Sequence, residues 1–201
     1  MGLFPKLKIY VQLLDKGCHI YENPKGDMFD LRSAQTVDLK CPQTGERYKK
    51  GEEYYRDTHF DSCLINLGVR IKLPDGCRAN VPPRSGTFKN FHVLLTNSIG
   101  IIDNCYQGPN DQWKANFIAM DTCHIEGPRP AYEKDYLNEE LTIIDGYIQG
   151  DRVCQFEVVL SQKATVWQKI KWFLHSGVKI VYVDNLDTVV DRGGFSSSGI
   201  K

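Results

Sequence analysis

The sequence predicts an all-β fold, a sandwich or barrel of short strands that carries a single helix and ends in a loose arm. Three observations predict it. Short runs rich in Val, Ile and aromatic residues recur along the chain, each bounded by Gly, Pro, Asn or Asp, the pattern of strands in a sandwich or barrel. One stretch, near 162–175, instead spaces its apolar residues as a helix does. The last segment, 192–201, is rich in Gly and Ser and reads as a flexible arm.

In chain order the β-type runs are Lys8–Leu14, Cys63–Ile71, His92–Leu95, Gly100–Ile102, Asn116–Met120, Leu141–Ile144, Val153–Leu160 and Val178–Val183. The stretch 123–150 interrupts them with Gly127-Pro128-Arg129-Pro130 and the acids Glu139-Glu140, and reads as a surface excursion or inserted hairpin. In 162–175, Val166, Ile170, Phe173 and Leu174 recur at helical spacing, with Gly177 placed to end the helix. That apolar stripe is expected to pack on the core, with partner binding as the alternative. No repeat, heptad array or low-complexity segment occurs. The chain is therefore expected to form one domain over 1–191, with insertions near 123–150 and 161–177, followed by the arm 192–201.

The 201 residues suit one domain. A chain of this size buries about 70% of its unfolded surface, so it needs neither disulfides nor a structural metal to fold. Its 25 Lys+Arg balance its 25 Asp+Glu, which argues against a broad basic face for nucleic acid and leaves any phosphate to a local site. The N-terminus lacks the apolar run of a signal peptide, and no stretch approaches a membrane-spanning length. A cytoplasmic location is expected. Seven cysteines, odd in number and without a CxxC pair, read as reduced thiols, with a zinc site assembled from distant Cys and His as the minority reading. The five histidines are scattered, with no HxxxH spacing.

A β scaffold carries chemistry on its turns. Pro82-Pro83-Arg84-Ser85-Gly86 joins a rigid entry, a cation, a hydroxyl and a glycine whose backbone N–H can approach an anion, which suits a phosphate; alone it is also an ordinary turn. Gly100-Ile101-Ile102-Asp103-Asn104-Cys105-Tyr106-Gln107-Gly108 sets a carboxylate and an aromatic ring three residues apart at a hairpin tip, where a turn-stabilising Asp is the plain alternative. Gly150-Asp151-Arg152-Val153-Cys154-Gln155 leads into a strand.

Taken together and in order, these segments resemble the trimeric deoxyuridine triphosphatase (dUTPase) family over nearly the whole length. Asp27-Met28-Phe29-Asp30-Leu31-Arg32-Ser33-Ala34 is similar to the family's first motif and Pro83-Arg84-Ser85-Gly86 to the second. The Asp103 hairpin is similar to the third, the Gly150–Gln155 stretch to the fourth, and Arg192-Gly193-Gly194-Phe195-Ser196-Ser197-Ser198-Gly199 to the fifth. Met28 stands where the family has Gly, Cys105 where a second acid is frequent, and Ser196 where Gly is usual. The fifth motif is shorter than the family's, with Phe195 only three residues after Arg192.

The resemblance implies a jelly-roll fold, a distorted β-barrel, assembled as a homotrimer with shared active sites. It implies hydrolysis of dUTP to dUMP and pyrophosphate by water attacking the α-phosphorus, with Mg²⁺ chelated by the triphosphate. Asp103 would activate the water, Tyr106 would exclude a 2′-hydroxyl, and Asn97 would sit in the hairpin that reads uracil. Arg84, Ser85 and Gly86 would hold phosphates, while Asp30 and Gln155 would meet the metal through water. Phe195 would stack on uracil, with Ser197, Ser198 and Arg192 at the phosphates. The same fold also serves deoxycytidine triphosphate deaminases, and a jelly roll that binds or regulates without catalysis is the remaining class. The two insertions offer a place for a protein partner. The branch implied is bacterial or viral, acting in the cytoplasm of a bacterium or of an infected cell.

Overall fold

A computed structural model describes residues 4–134, 141–188 and 190–192. β1 (Leu7–Leu13) opens the chain because Leu7, Ile9 and Val11 alternate with Lys8 and Tyr10, so one edge of every second residue is buried. A single 3₁₀ turn, Lys16–Cys18, follows, its first N–H groups met by the Asp15 side chain at Gly17 N, 2.8 Å. Next come β2 (Tyr21–Glu22), β3 (Phe29–Arg32) and β4 (Val37–Leu39). β5 (Gln43–Thr44), β6 (Tyr48–Lys50), β7 (Glu53–Tyr55) and β8 (Thr58–His59) form one hairpin inside another, β6 on β7 and β5 on β8, exposed throughout. β9 (Ser62–Asn66), β10 (Val69–Lys72), β11 (Cys77–Val81), α1 (Thr87–Phe91), β12 (Val93–Leu95), β13 (Gly100–Asp103) and β14 (Lys114–Ala119) complete most of the body. β15 (Cys123–Ile125), the ribbon of β16 (Arg129–Lys134) and β17 (Leu141–Ile148), then β18 (Arg152–Leu160), α2 (Val166–Phe173) and β19 (Val178–Tyr182) finish it.

The fold is mostly β, as the strand runs predict, and agrees with the jelly roll that the family resemblance implies. A five-stranded antiparallel sheet runs β13-β11-β18-β3-β2, a three-stranded sheet β12-β14-β9, and another β10-β1-β19 in which β1 and β19 run parallel with Leu7 opposite Val178. β15 pairs with β4. Among the described residues the ladders remain open sheets rather than one closed barrel. Between the sheets, Trp113 meets Phe156 edge-on at 5.3 Å and Phe156 lies 5.2 Å from Phe29, with Ile9, Ile65 and Phe117 fully buried around them.

Two expectations need correction in detail. The excursion expected at 123–150 is an antiparallel ribbon of β16 and β17, but it starts only at β16, because Cys123–Ile125 is paired into the body. The helix lies where expected, opened by a capping box in which Thr165 and Gln168 serve each other's backbone N–H. Its apolar stripe, however, does not pack on the core. Val166, Trp167 and Phe173 are 70%, 79% and 80% exposed, and Ile170 and Leu174 also face solvent. The reason is how the helix is seated. Gln168 lies over Gly76, where a Cβ would come within 2.7 Å of its side chain, and Trp172, one turn on, packs against the core. That i, i+4 pair turns the opposite side outward. The nested hairpins of 43–59 were not expected: both of their faces are wet, so no apolar alternation marks them. All seven cysteines are free. Burial pushes the Cys18 thiol up to about 12 and Cys77 up to about 11, which keeps them protonated at neutral pH.

Thermal unfolding should separate the two sides of α2. Trp172→Ala is expected to cost roughly 2–3 kcal/mol, the low end for a large side chain because Trp172 is only partly buried. Trp167→Glu and Phe173→Glu should change stability by no more than about 0.5 kcal/mol, as exposed positions do.

Candidate active site

Two polar clusters stand at opposite ends of β11. The first is built where β3, the 82–87 turn and β18 meet. Gln155 lies opposite Asp30 in the β18–β3 ladder, and Pro83 bridges to Cys154. Gly150, at the entry to β18, is required there: a Cβ would fall 2.2 Å from the Ser33 carbonyl oxygen. The turn is fastened to β18 by Thr87, whose hydroxyl accepts from Arg84 N and donates to the Val153 carbonyl, each at 2.9 Å. Gln155 adds its own backbone N–H and its side-chain amide, donated to the carbonyls of Pro82 and Pro83 at 3.1 and 3.2 Å.

At the centre of this cluster Asp30, only 6% exposed, takes Arg84 Nε on one carboxylate oxygen at 3.0 Å and Arg152 Nη1 on the other at 3.1 Å. Arg84 also donates to the Arg152 carbonyl at 3.1 Å. Two guanidiniums share one carboxylate, so the cluster keeps a surplus positive charge next to the exposed Ser85 and to Gly86, a setting for an anion. It does not suit a resident cation. Both Asp30 oxygens are engaged, and among the described residues no three His, Cys, Asp or Glu side chains gather around a common point. Arg152 and Thr87, which hold Arg84 and its turn, were given no role by sequence; Arg152 stands within the fourth motif but nothing in the sequence pairs it with Asp30.

The second cluster surrounds Asp103, at the end of β13. Tyr106 N–H donates to the Asp103 carbonyl at 3.0 Å, closing the turn, and the Tyr106 hydroxyl donates to the Gln112 carbonyl at 3.0 Å, which leaves the ring half-buried against the core. Burial, with Asp111 nearby, pushes that phenol up, so it stays protonated. Arg192 brings its guanidinium to Asp103 at 3.1 Å. Asn97 is exposed in the turn that enters β13, next to Ser98 with φ +58°. Phe195, Ser197 and Ser198 lie outside the described residues.

β11 measures how far apart the clusters are. Asp103 lies opposite Arg78, and β11 stays paired to β18 through Asn80 and again at Pro83. From Arg78 to Arg84 is six residues of extended backbone, about 20 Å at 3.3 Å per residue. Within one chain, Asp103 and Arg84 therefore do not converge on the same atoms.

No family model matches the sequence. It is 31% identical over 196 residues to the SPbeta prophage-derived deoxyuridine 5′-triphosphate nucleotidohydrolase YosS of Bacillus subtilis, covering 97% of this chain and 100% of that one. It is 41% identical over 143 residues to the deoxyuridine 5′-triphosphate nucleotidohydrolase of Hydrogenobaculum, covering 71% and 74%. Among solved structures, the dUTPase of Streptococcus mutans superposes with a TM-score of 0.50 at 16% identity, over 77% of this chain and 98% of that one, a likeness of fold.

Removing the shared carboxylate should be costly. Asp30→Ala leaves Arg84 and Arg152 facing each other; a fully buried pair broken this way costs about 3–5 kcal/mol. With Arg152 35% and Arg84 22% exposed, solvent screening brings the expectation to about 2 kcal/mol. The checking measurement is the melting temperature, expected to fall by roughly 4–8 °C for a chain of this size.

Proposed function

This chain belongs to the dUTPase family and hydrolyses dUTP to dUMP and pyrophosphate, and we propose that each reacting site forms between chains, Asp103 of one meeting Arg84 of the next. The observation that carries this reading is the separation along β11. A water attacking the α-phosphorus and the groups that hold the phosphates beside it must lie within a few ångströms of each other, and one chain places them about 20 Å apart in backbone. A homotrimer, as the family resemblance implies, closes that gap.

In this reading one chain supplies Asp103, Tyr106 and Asn97. Asp103, half-exposed at a hairpin tip, orients the water and takes its proton, general-base work that is worth roughly 10²–10⁴-fold. The Tyr106 ring, fixed by its hydroxyl bond to Gln112, lies along the deoxyribose and fills the place of a 2′-hydroxyl. Asn97 lies in the turn that reads uracil. A neighbouring chain supplies Arg84, Ser85 and Gly86 for the phosphates, with Asp30 holding Arg84 in place from beneath. Mg²⁺ enters as part of the substrate, chelated by the triphosphate, and Gln155, whose amide oxygen remains for a water, reaches it indirectly. The arm residues Phe195, Ser197 and Ser198 would cover base and phosphates. Such a reaction needs aligned groups and charge neutralisation more than covalent chemistry, and these residue types supply both.

Mixed assemblies test the proposal. Asp103→Asn alone is expected to lower turnover at least about 10²-fold, and Arg84→Gln alone to lower it as well. When the two variants are unfolded together and refolded, sites that pair an intact Asp103 from one chain with an intact Arg84 from another should appear with a probability of about one in four and restore about a quarter of wild-type turnover. No recovery on mixing means that the site lies within one chain. Near-normal turnover in Asp103→Asn removes that residue as the base.

A further inference from the structure

We propose that Asp191 is a positioning residue for the hydrolysis: it pins the root of the C-terminal arm to its own chain's 106–112 turn and so delivers the Arg192 guanidinium to Asp103. The proposal rests on the reading of Asp103 as the base. After β19 the chain runs back over the body, tied first by Gln12, which donates to the Asp184 carbonyl at 2.9 Å, and then by the buried side chain of Leu186. Arg70, itself buried, donates to the Thr188 hydroxyl at 3.0 Å and to the Gln107 carbonyl at 3.3 Å, and Thr188 bonds the same carbonyl.

The last ties lie at Arg192 and the residue before it. Asp191 accepts from both the backbone N–H and the side-chain amide of Asn110, each at 2.7 Å, and these bonds hold its carboxyl below the usual range. One oxygen of the buried Asp111 accepts from Gly108 N and from Arg192 N, each at 2.9 Å, so the turn and the arm share an anchor. The fit leaves no space between them. A Cβ on Gly108 would fall 2.3 Å from Asp191 Oδ1 and 2.4 Å from Asp191 Cα, so only glycine lets the arm lie this close.

Magnitudes decide what holds Arg192 in place. Its ion pair with Asp103 is 49% and 47% exposed, and exposed pairs contribute little because water screens them and two long side chains must be held still. The pair alone would not keep a long side chain on the base. The charge-assisted bonds of Asp191 one residue earlier fix the backbone from which Arg192 extends, and so set its geometry. A cation fixed beside the base stands next to the phosphorus where negative charge grows during attack, and a displacement of about 1 Å in such a group can cost as much as 10²-fold. The shortened fifth motif fits this arrangement: Arg192 is committed to Asp103 of its own chain, at the root of the arm.

Steady-state kinetics with Mg–dUTP on the full-length chain tests the assignment. Asp191→Ala should lower kcat roughly tenfold or more while KM changes by less than about threefold, and Asp191→Asn, which keeps an acceptor for Asn110, should retain most of the activity. Because Asp191 acts only through Arg192, the double variant Asp191→Ala/Arg192→Gln should be no slower than Arg192→Gln alone. Wild-type kcat in Asp191→Ala overturns the proposal, as do wild-type kcat in Arg192→Gln and losses that multiply in the double variant. The reading of Asp103 fails separately, by undiminished turnover in Asp103→Asn, and that result leaves the coupling between Asp191 and Arg192 measurable on its own.

Discussion

β11 is hydrogen-bonded on both edges, to β13 from Arg78–Asp103 to Val81–Gly100 and to β18 from Cys77–Leu160 to Asn80–Glu157. Cys77, Ala79 and Val81 point into the core, so a slip of one residue would turn all three to solvent and bring Arg78 and Asn80 inside. That one register places both polar clusters. It sets Asp103 level with the start of the strand and, by continuing as far as the Pro83–Cys154 bridge, holds the Arg84 turn beyond its end. The separation of Asp103 from the Arg84 turn is therefore set by the register of a core strand.

Charge is handled locally in a chain with no net charge. Where the pair is buried, at Asp30, desolvation is met by giving each carboxylate oxygen its own guanidinium, and the turn carrying Arg84 is fastened again through Thr87 and Gln155. Where the pair is exposed, at Asp103, the ion pair is weak, and the backbone around it takes over the work of placement. Asp111 and Asp191 fasten the arm to the turn through N–H donors that cannot rotate away, whereas a long arginine side chain can. Both arrangements hold a guanidinium in place, one through the carboxylate beneath it and one through its own backbone.

The elements outside the body show how weakly helical spacing alone specifies burial. α2 has an apolar face of five large side chains, and all five face solvent. Two contacts on the other side, Gln168 over Gly76 and Trp172 against the core, orient the helix, and neither belongs to the stripe that periodicity picks out. The hairpins of 43–59 and the ribbon of β16 and β17 are held mainly by their own ladders, so their sequences carry little of the alternation that marks a strand packed on a core.

The sequence by itself determined the β class, the helix at Val166–Phe173 though not the short α1, and the segments that hold the Asp30 and Asp103 clusters, because strand periodicity, turn residues and short motifs are local and survive in one dimension. β11 escaped it because it alternates over only five residues with Arg78 and Asn80 on its outer side, and β3 because its four residues do not alternate, Asp30 being buried beside Leu31. Only the tertiary structure decided that Arg152 shares Asp30 with Arg84, that Asp191 and Asn110 meet across 81 residues, and that Asp103 and Arg84 stand at opposite ends of one strand. Each of these is a pairing between residues distant in the chain, set by ladder register and close packing, and no local pattern in the sequence encodes which side chain a distant strand will present.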